Sequence, residues 1–181
     1  MRKIALNVET TGLDLSEGHR IIAIGGVEIV DNRLTGRCYD QYFDPGREID
    51  PMASAVHGIT RHMLKGKPRF GDVLSEFLGF VRGSELLIHN APFDVAYLDH
   101  ELMRAYGNKH APRIENCCTI NDTLMLARRL HPGRKNDIDS LCQRYGIETP
   151  PHTNRSALSD ARALAQVCLA IWSRHQEPIH A

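Results

Sequence analysis

Apolar and polar residues alternate from Ile4 to Glu9, with Ile4, Leu6 and Val8 set against Ala5, Asn7 and Glu9. Side chains on a strand switch faces at every residue, so this stretch reads as a strand that carries Asn7 and Glu9 on one face. Thr10, Thr11 and Gly12 end it with small residues that let another molecule approach the backbone. Asp14 to Gly18 reads as a polar turn. Arg20 to Val30, rich in Ile and Val, and Leu34 to Phe43 read as two more strands around the turn Asp31-Asn32-Arg33. Three strands so close together predict an antiparallel meander, which Pro45-Gly46 ends.

Beyond that point the pattern turns helical. Asp50-Pro51 is an N-cap followed by proline at the first helical position, with Gly58 as the stop. Phe70, Val73, Leu74, Phe77 and Val81 recur at helical spacing up to Gly83. Glu85 to His89 reads as a short buried strand that opens into a helix reaching Tyr106. Ile114 to Ile120 reads as another strand. Asp122 caps a helix to Leu130, Asp137 caps one to Gly146, and the last helix runs from Ser156 to His175. Its apolar stripe of Ala157, Leu164, Ala165, Cys168, Leu169 and Trp172 also carries Asp160. Strands first, then strands alternating with helices, predict an α/β domain on a mixed sheet. The expected organisation is one domain over 1–175 and a short frayed tail over 176–181.

Composition narrows the class. The chain has 181 residues, 42% of them hydrophobic, which suits a single core. No run has the length of a transmembrane helix and no signal peptide is visible, so a cytoplasmic location and no membrane partner are expected. Five cysteines, an odd number without a C-x-x-C, read as reduced thiols, the adjacent Cys117 and Cys118 as strand packing. Lys plus Arg and Asp plus Glu are equal at 22 each, so a polyanionic partner must be held by local charge or by metal. Arg128, Arg129, Arg134 and Lys135 cluster around one turn, which reads either as a contact to a DNA backbone or as a solvated basic turn.

Asp94 follows a strand and begins a helix, and Asp160 lies near the start of another. Each reads as an N-cap or as part of a carboxylate cluster with Glu9. Clustered carboxylates repel and lose hydration, and hard divalent cations with oxygen ligands offset both costs.

The ordered segments Leu6-Asn7-Val8-Glu9-Thr10-Thr11-Gly12, Val56-His57-Gly58, His89-Asn90-Ala91-Pro92-Phe93-Asp94 and Arg155-Ser156-Ala157-Leu158-Ser159-Asp160-Ala161 resemble the DnaQ-type 3′–5′ exonucleases of the DEDDh group. Within that family they are most similar to the proofreading branch that serves bacterial DNA polymerase III. The likeness runs from about Lys3 to Trp172. It implies a ribonuclease H-like fold, a mixed β-sheet flanked by helices. It also implies two Mg²⁺ or Mn²⁺ ions, a DNA 3′ end or single-stranded DNA as substrate, and a polymerase catalytic subunit as partner. Carried over by position, Glu9, Asp94 and Asp160 match metal ligands. Thr10, Thr11, Gly12, Val56, His57, Asn90 and Phe93 match positions lining the terminal-nucleotide pocket. Asn7 stands where the family has its first metal-binding Asp, and Arg155 where it has the general-base His. Ala23 stands where many relatives carry Glu. Asn keeps an oxygen but loses the charge, and Arg cannot accept a proton. One tightly held ion or none is therefore expected, with weak or absent hydrolysis. His152 is the next candidate base. The rival expectation is a pseudoexonuclease that grips a DNA end or a polymerase subunit. Gln176 to Ile179 faintly resembles a sliding-clamp peptide without its aromatic end.

Overall fold

The computed structural model describes residues 1–107, 110–151 and 155–175. His152 and the tail 176–181, with its peptide-like segment, lie outside the described residues. Five strands form one sheet in the order β3-β2-β1-β4-β5. They are β1 (Arg2–Thr10), β2 (Ile21–Val30), β3 (Arg33–Tyr42), β4 (Glu85–Ile88) and β5 (Thr119–Asp122). The meander β1–β2–β3 is antiparallel as expected, while β4 and β5 join β1 in parallel. This is the mixed, helix-flanked sheet that the resemblance implies.

The alternation along β1 sorts the two layers. Ile4, Leu6 and Val8 pack with Phe77, Phe80, Leu98 and Leu102, from helices α3 (Leu74–Val81) and α4 (Ala91–Tyr106). Ala5, on the opposite face, packs with Ala161, Leu164, Ala165 and Cys168 of helix α7 (Ala157–His175). Asn7 and Glu9 follow Ala5 at a spacing of two, so they emerge on the α7 side.

The remaining helices begin where their caps place them. Asp50 accepts from the Met52 N–H at 2.7 Å ahead of α1 (Pro51–His57), and Gly58 closes it at φ 72°. A single-turn α2 (Arg61–Leu64), which the sequence pattern does not announce, follows. Asp122 accepts from Leu124 at the start of α5 (Thr123–Leu130). Asp137 accepts from Ser140 at the start of α6 (Ile138–Tyr145). At α7, Ser156 and Ser159 exchange side-chain-to-backbone hydrogen bonds, a reciprocal cap that satisfies two N–H groups.

Two expectations need correction. Ile114 to Ile120 is not one strand. Ile114–Asn116 is a 3₁₀ turn, held by the Asp99 and Asn116 side chains accepting from the N–H groups of Ile114 and Arg113, and it sinks Ile114 into the core. Pairing with β4 begins only at Thr119. Likewise, Phe70 to Val81 is not one helix. A 3₁₀ turn over Phe70–Val73 precedes α3, because Asp72 accepts from the Arg69 N–H and tightens the first turn.

Gly25 sets the distance between sheet and helix. It stands opposite Asn7 on β2, and a Cβ there would overlap the backbone of Ala157 and Leu158. Glycine inside a strand often marks such a close approach of a second backbone. The start of α7 thus rests directly on β2, three residues before Asp160. Replacing Gly25 with Ala forces α7 away from the sheet. The expected cost is about 1–3 kcal/mol from overpacking, a fall of several degrees in melting temperature. Thermal denaturation of G25A checks this, and an unchanged midpoint contradicts the tight seat.

Candidate active site

The site lies where the strand β1 outruns its parallel neighbour. Pairing of β1 with β4 ends at Leu6 and Ile88, which frees the edge of β1 beyond that point. Asp94, in the first turn of α4, fills the gap: its Oδ1 accepts from the Val8 N–H at 3.3 Å. Asn90 begins that helix in a left-handed conformation, φ 73°, which turns the chain from β4 into α4. Asp94 therefore reaches β1 from one layer, while Asp160 reaches it from α7 in the other.

Both aspartates are coupled to Glu9: Asp160 acts on it, and it acts on Asp94. Burial pushes the Glu9 carboxyl up to about 7, and the charge of Asp160 adds to the rise. The Asn7 amide opposes it by donating to Glu9 Oε1 at 3.1 Å. Asp94 is buried and its carboxyl is pushed up to about 8, first by desolvation and further by Glu9 and Asp122, against the Val8 hydrogen bond. Glu9 is thus the hinge of the three carboxylates, and none of these causes supplies a positive charge. Strongly perturbed carboxyls of this kind mark functional sites more often than structural ones.

Among the described residues no three His, Cys, Asp or Glu side chains stand close enough together to form a ready-made cation cage. The donors that face one another through Glu9 are all carboxylates, and in kind they fit a hard divalent cation.

Arg155 is turned toward α6. Its Nη2 pairs with Asp139 Oδ1 at 2.6 Å and donates to Thr149 Oγ1 at 3.3 Å. Asp139 and, more weakly, Asp160 hold the guanidinium charged well beyond the physiological range. Asn7, His89, Asp139, Arg155 and Asp160 line one cavity of about 120 Å³. Ala23 is buried on β2 opposite Glu9 and brings no polar atom to it.

A second cavity, about 350 Å³, opens on the other side of Glu9 and is lined by Thr10, Gly12, Leu13, Met52, Val56, His57 and Phe93, among others. Leu13, Met52 and Val56 are exposed there, a local apolar wall on otherwise polar surface. His57 pins that wall to the strand. The Ile59 N–H donates to its Nδ1 at 3.0 Å, so the ring proton sits on Nε2 and is donated to the Thr10 carbonyl at 3.2 Å. Burial lowers the His57 pKa and keeps the ring neutral. The Tyr97 and Thr10 hydroxyls both donate to the Gly12 carbonyl, at 2.8 and 2.7 Å, and fix the floor.

Two of the pocket positions do not face this cavity. Thr11 is fully buried, its hydroxyl bonded to His19 Nδ1 at 3.0 Å. Asn90 lies in a neighbouring cavity with His89 and Arg128. The smallness of Gly12 also serves the chain itself, since the His19 ring occupies the place where its Cβ would stand. Sequence reasoning passed over His19, Asp139 and His89 as site residues. The adjacent Gly25-Gly26 inside an apolar strand was the available signal for the close seat of α7; Asp139 carried none. A larger cavity of about 680 Å³ lies beyond the 14–18 turn, where Arg20, Arg47, Arg69 and Arg104 are balanced by Glu17, Glu48, Asp72 and Glu101.

Comparison with known proteins concerns the chain as a whole. The exonuclease family described as RNase_T matches residues 4–168. DNA polymerase III subunit epsilon of Escherichia coli K12 is 43% identical over 174 residues, 94% of this chain and 71% of that protein. Its counterpart in Rickettsia conorii is 41% identical over 176 residues, 97% and 76% of the two chains. Exonuclease X, solved in complex with 5′ overhanging duplex DNA, superposes with a TM-score of 0.66 at 27% identity over 96% of this chain and 92% of its own. The zinc-bound E. coli exonuclease I–ssDNA complex gives a TM-score of 0.82 at 17% identity over 97% of this chain and 41% of its own, a likeness of the ribonuclease H-like fold alone. A family match of this extent, with relatives above 40% identity across nearly the whole chain, means that the protein belongs to the exonuclease family together with the DNA polymerase III epsilon subunits.

Proposed function

We propose that the protein is a 3′-end-directed exonuclease subunit of a DNA polymerase assembly in which hydrolysis is attenuated and end binding is kept. The observation that carries this reading is the cavity in which Asn7, Arg155 and Asp160 meet beside Glu9. The terminal nucleoside docks in the apolar cavity against Phe93, Val56 and Leu13, with its phosphate toward Glu9. The epsilon relatives support a polymerase partner, and the solved exonuclease complexes support single-stranded or overhanging DNA as the ligand.

Glu9, Asp94 and Asp160 are the residues that would hold Mg²⁺ or Mn²⁺. A bound ion of this type polarises the phosphoryl group and lowers the pKa of water. Asn7 adds an oxygen without charge and spends its N–H on Glu9, so the cluster attracts a cation less strongly than four carboxylates. Arg155 cannot take a proton from water, and its pairing with Asp139 draws it aside. It remains able to bind a phosphate oxygen. The rival reading, a pure end-binding module, draws on this same ion pair.

Digestion of end-labelled single-stranded DNA separates the two. The unmodified protein shows little or no cutting with Mg²⁺ and at most a trace with Mn²⁺, since a missing general base costs about 10²–10⁴ in rate. N7D recovers part of the rate, R155H recovers less, and the double variant recovers far more than either. A double variant as inert as the parent favours the binding module. Robust digestion by the parent sinks the attenuation.

Titration of the cluster gives a second check. Glu9 and Asp94 have folded-state pKa values near 7 and 8, above their ordinary values of 4.5 and 3.8. Between these limits the folded chain binds more protons than the unfolded chain, so stability falls as pH rises. The depressed carboxyls, such as Glu28 and Asp44, act in the opposite sense and lose their contribution only as pH falls below the ordinary carboxylate range. His57, His89 and His100, whose pKa values burial lowers, add stability as pH rises through the histidine range, so the carboxyl cluster is read above that range. Metal-free protein should therefore melt lower at pH 8 than at pH 7, and D94N should flatten that slope. Saturating Mn²⁺ should raise the midpoint more at pH 8. A midpoint that climbs from pH 7 to pH 8 without metal contradicts the cluster.

A further inference from the structure

Two arginines stand on the far side of the site from the nucleoside cavity. A groove of about 610 Å³ is lined by His89, Asn90, Leu124, Arg128, Gly133, Arg134, Asn136 and Asp137. It shares His89 with the cavity of Asn7, Arg155 and Asp160, which in turn meets the nucleoside cavity through the Asn7–Glu9 hydrogen bond. The three hollows therefore form one row, apolar at the Phe93 end and basic at the Arg128 end.

The basic end is held in shape by buried groups. Asn136 is buried, and its side-chain amide donates to the carbonyls of His131 and Arg134 at 3.2 and 2.9 Å. His89 donates through Nε2 to the Asn136 carbonyl at 2.8 Å, and Arg144 donates to the Lys135 carbonyl at 2.8 Å. The turn 131–137 is thereby fastened to the strand end that carries the site. Asp137 also lines the groove, where it caps α6 through Ser140, and Asp122 caps α5 through Leu124 while accepting from the Asn90 N–H, so Arg128 and Arg134 outnumber the one carboxylate in the lining. Arg129 and Lys135, close in sequence, do not line the groove. Arg128 and Arg129 both stand in the last turn of α5, where the helix dipole favours a cation, and of the two Arg128 is the one that lines the groove.

We propose that Arg128 and Arg134 grip the internucleotide phosphates of the DNA strand upstream of its terminal nucleotide, so that the groove between them is the path of the single strand. This rests on the reading of the apolar cavity as the terminal-nucleotide site. Arg forks match phosphate oxygens, and the row of cavities leaves a strand seated at Phe93 this basic exit past His89. The inference divides the basic cluster into two residues that read the backbone and two that are solvated.

The test measures binding of 5′-fluorescein-(dT)₁₀ by anisotropy in EDTA, which keeps the strand intact, across a salt series. The R128A/R134A variant binds about tenfold or more weakly at low salt. Its slope of log affinity against log salt is shallower by about 1.4, at about 0.7 per lost phosphate contact. The R129A/K135A variant matches the parent in both. Equal losses in the two variants, no loss in R128A/R134A, or no binding by the parent at low salt overturns the inference. A separate readout guards the reading beneath it: thymidine monophosphate with Mn²⁺ raises the melting temperature of the parent and of R128A/R134A alike. If that shift persists while the strand data fail, only the path is wrong. If the parent shows no shift, the terminal-nucleotide site itself falls, and the inference with it.

Discussion

The contact of two backbones at Gly25 is the constraint on which the site depends. Side chains at a helix–sheet interface normally hold the two elements well apart. Without a Cβ at Gly25, the first turn of α7 settles onto β2, and Asp160 comes within electrostatic reach of Glu9. The reciprocal Ser156–Ser159 cap makes that first turn regular at the point of contact. Asp94 arrives from the other layer only because β4 stops short and leaves Val8 with a free N–H. A short strand and a missing side chain thus assemble a cluster that no single element contains.

Charge is treated in two ways within the fold. Arg20 and Glu101 form a buried two-point pair, with Nε and Nη2 each 2.6 Å from a carboxylate oxygen, and the Ile21 N–H adds a third donor at 3.3 Å. That pair is compensated and ties β2 to α4. At Glu9 and Asp94 the same desolvation is left without a cation, and their acidity moves accordingly. Arg155 shares a cavity with Asn7 and Asp160 and pairs with Asp139, and it takes no part in the shifts of Glu9 and Asp94. The contrast is what distinguishes a joint from a site: identical residue types, and compensation in one place only.

Much of this was legible in the sequence because period and punctuation are local. The alternation around Asn7 and Glu9 follows from the two-residue period of a strand. The starts of α1, α5 and α6 follow from Asp50, Asp122 and Asp137. Ile114 misled because an apolar residue in a short run fits a strand or a buried turn equally, and the decision was taken by Asp99, which lies well upstream in α4. Thr11 resembled an open pocket edge, yet His19 turns back onto its hydroxyl, and nothing in the residue itself reveals which neighbour will arrive. Asp139 became part of the site only through the orientation of Arg155. Tertiary partners of this kind leave no periodic trace.

The dependence of the first strand on the last helix also bears on biogenesis. β1, β2 and β4 leave the ribosome long before α7, and their shared face of Ala5, Val27, Ile29 and Leu87 has no cover until that helix is made. A nascent chain in this condition presents an apolar sheet surface to chaperones and to other unfinished chains. The carboxylate arrangement cannot exist in such an intermediate, because Asp160 has not yet been joined to Glu9. Synthesis and the completion of the carboxylate site are therefore separated in time, by the order of the elements alone.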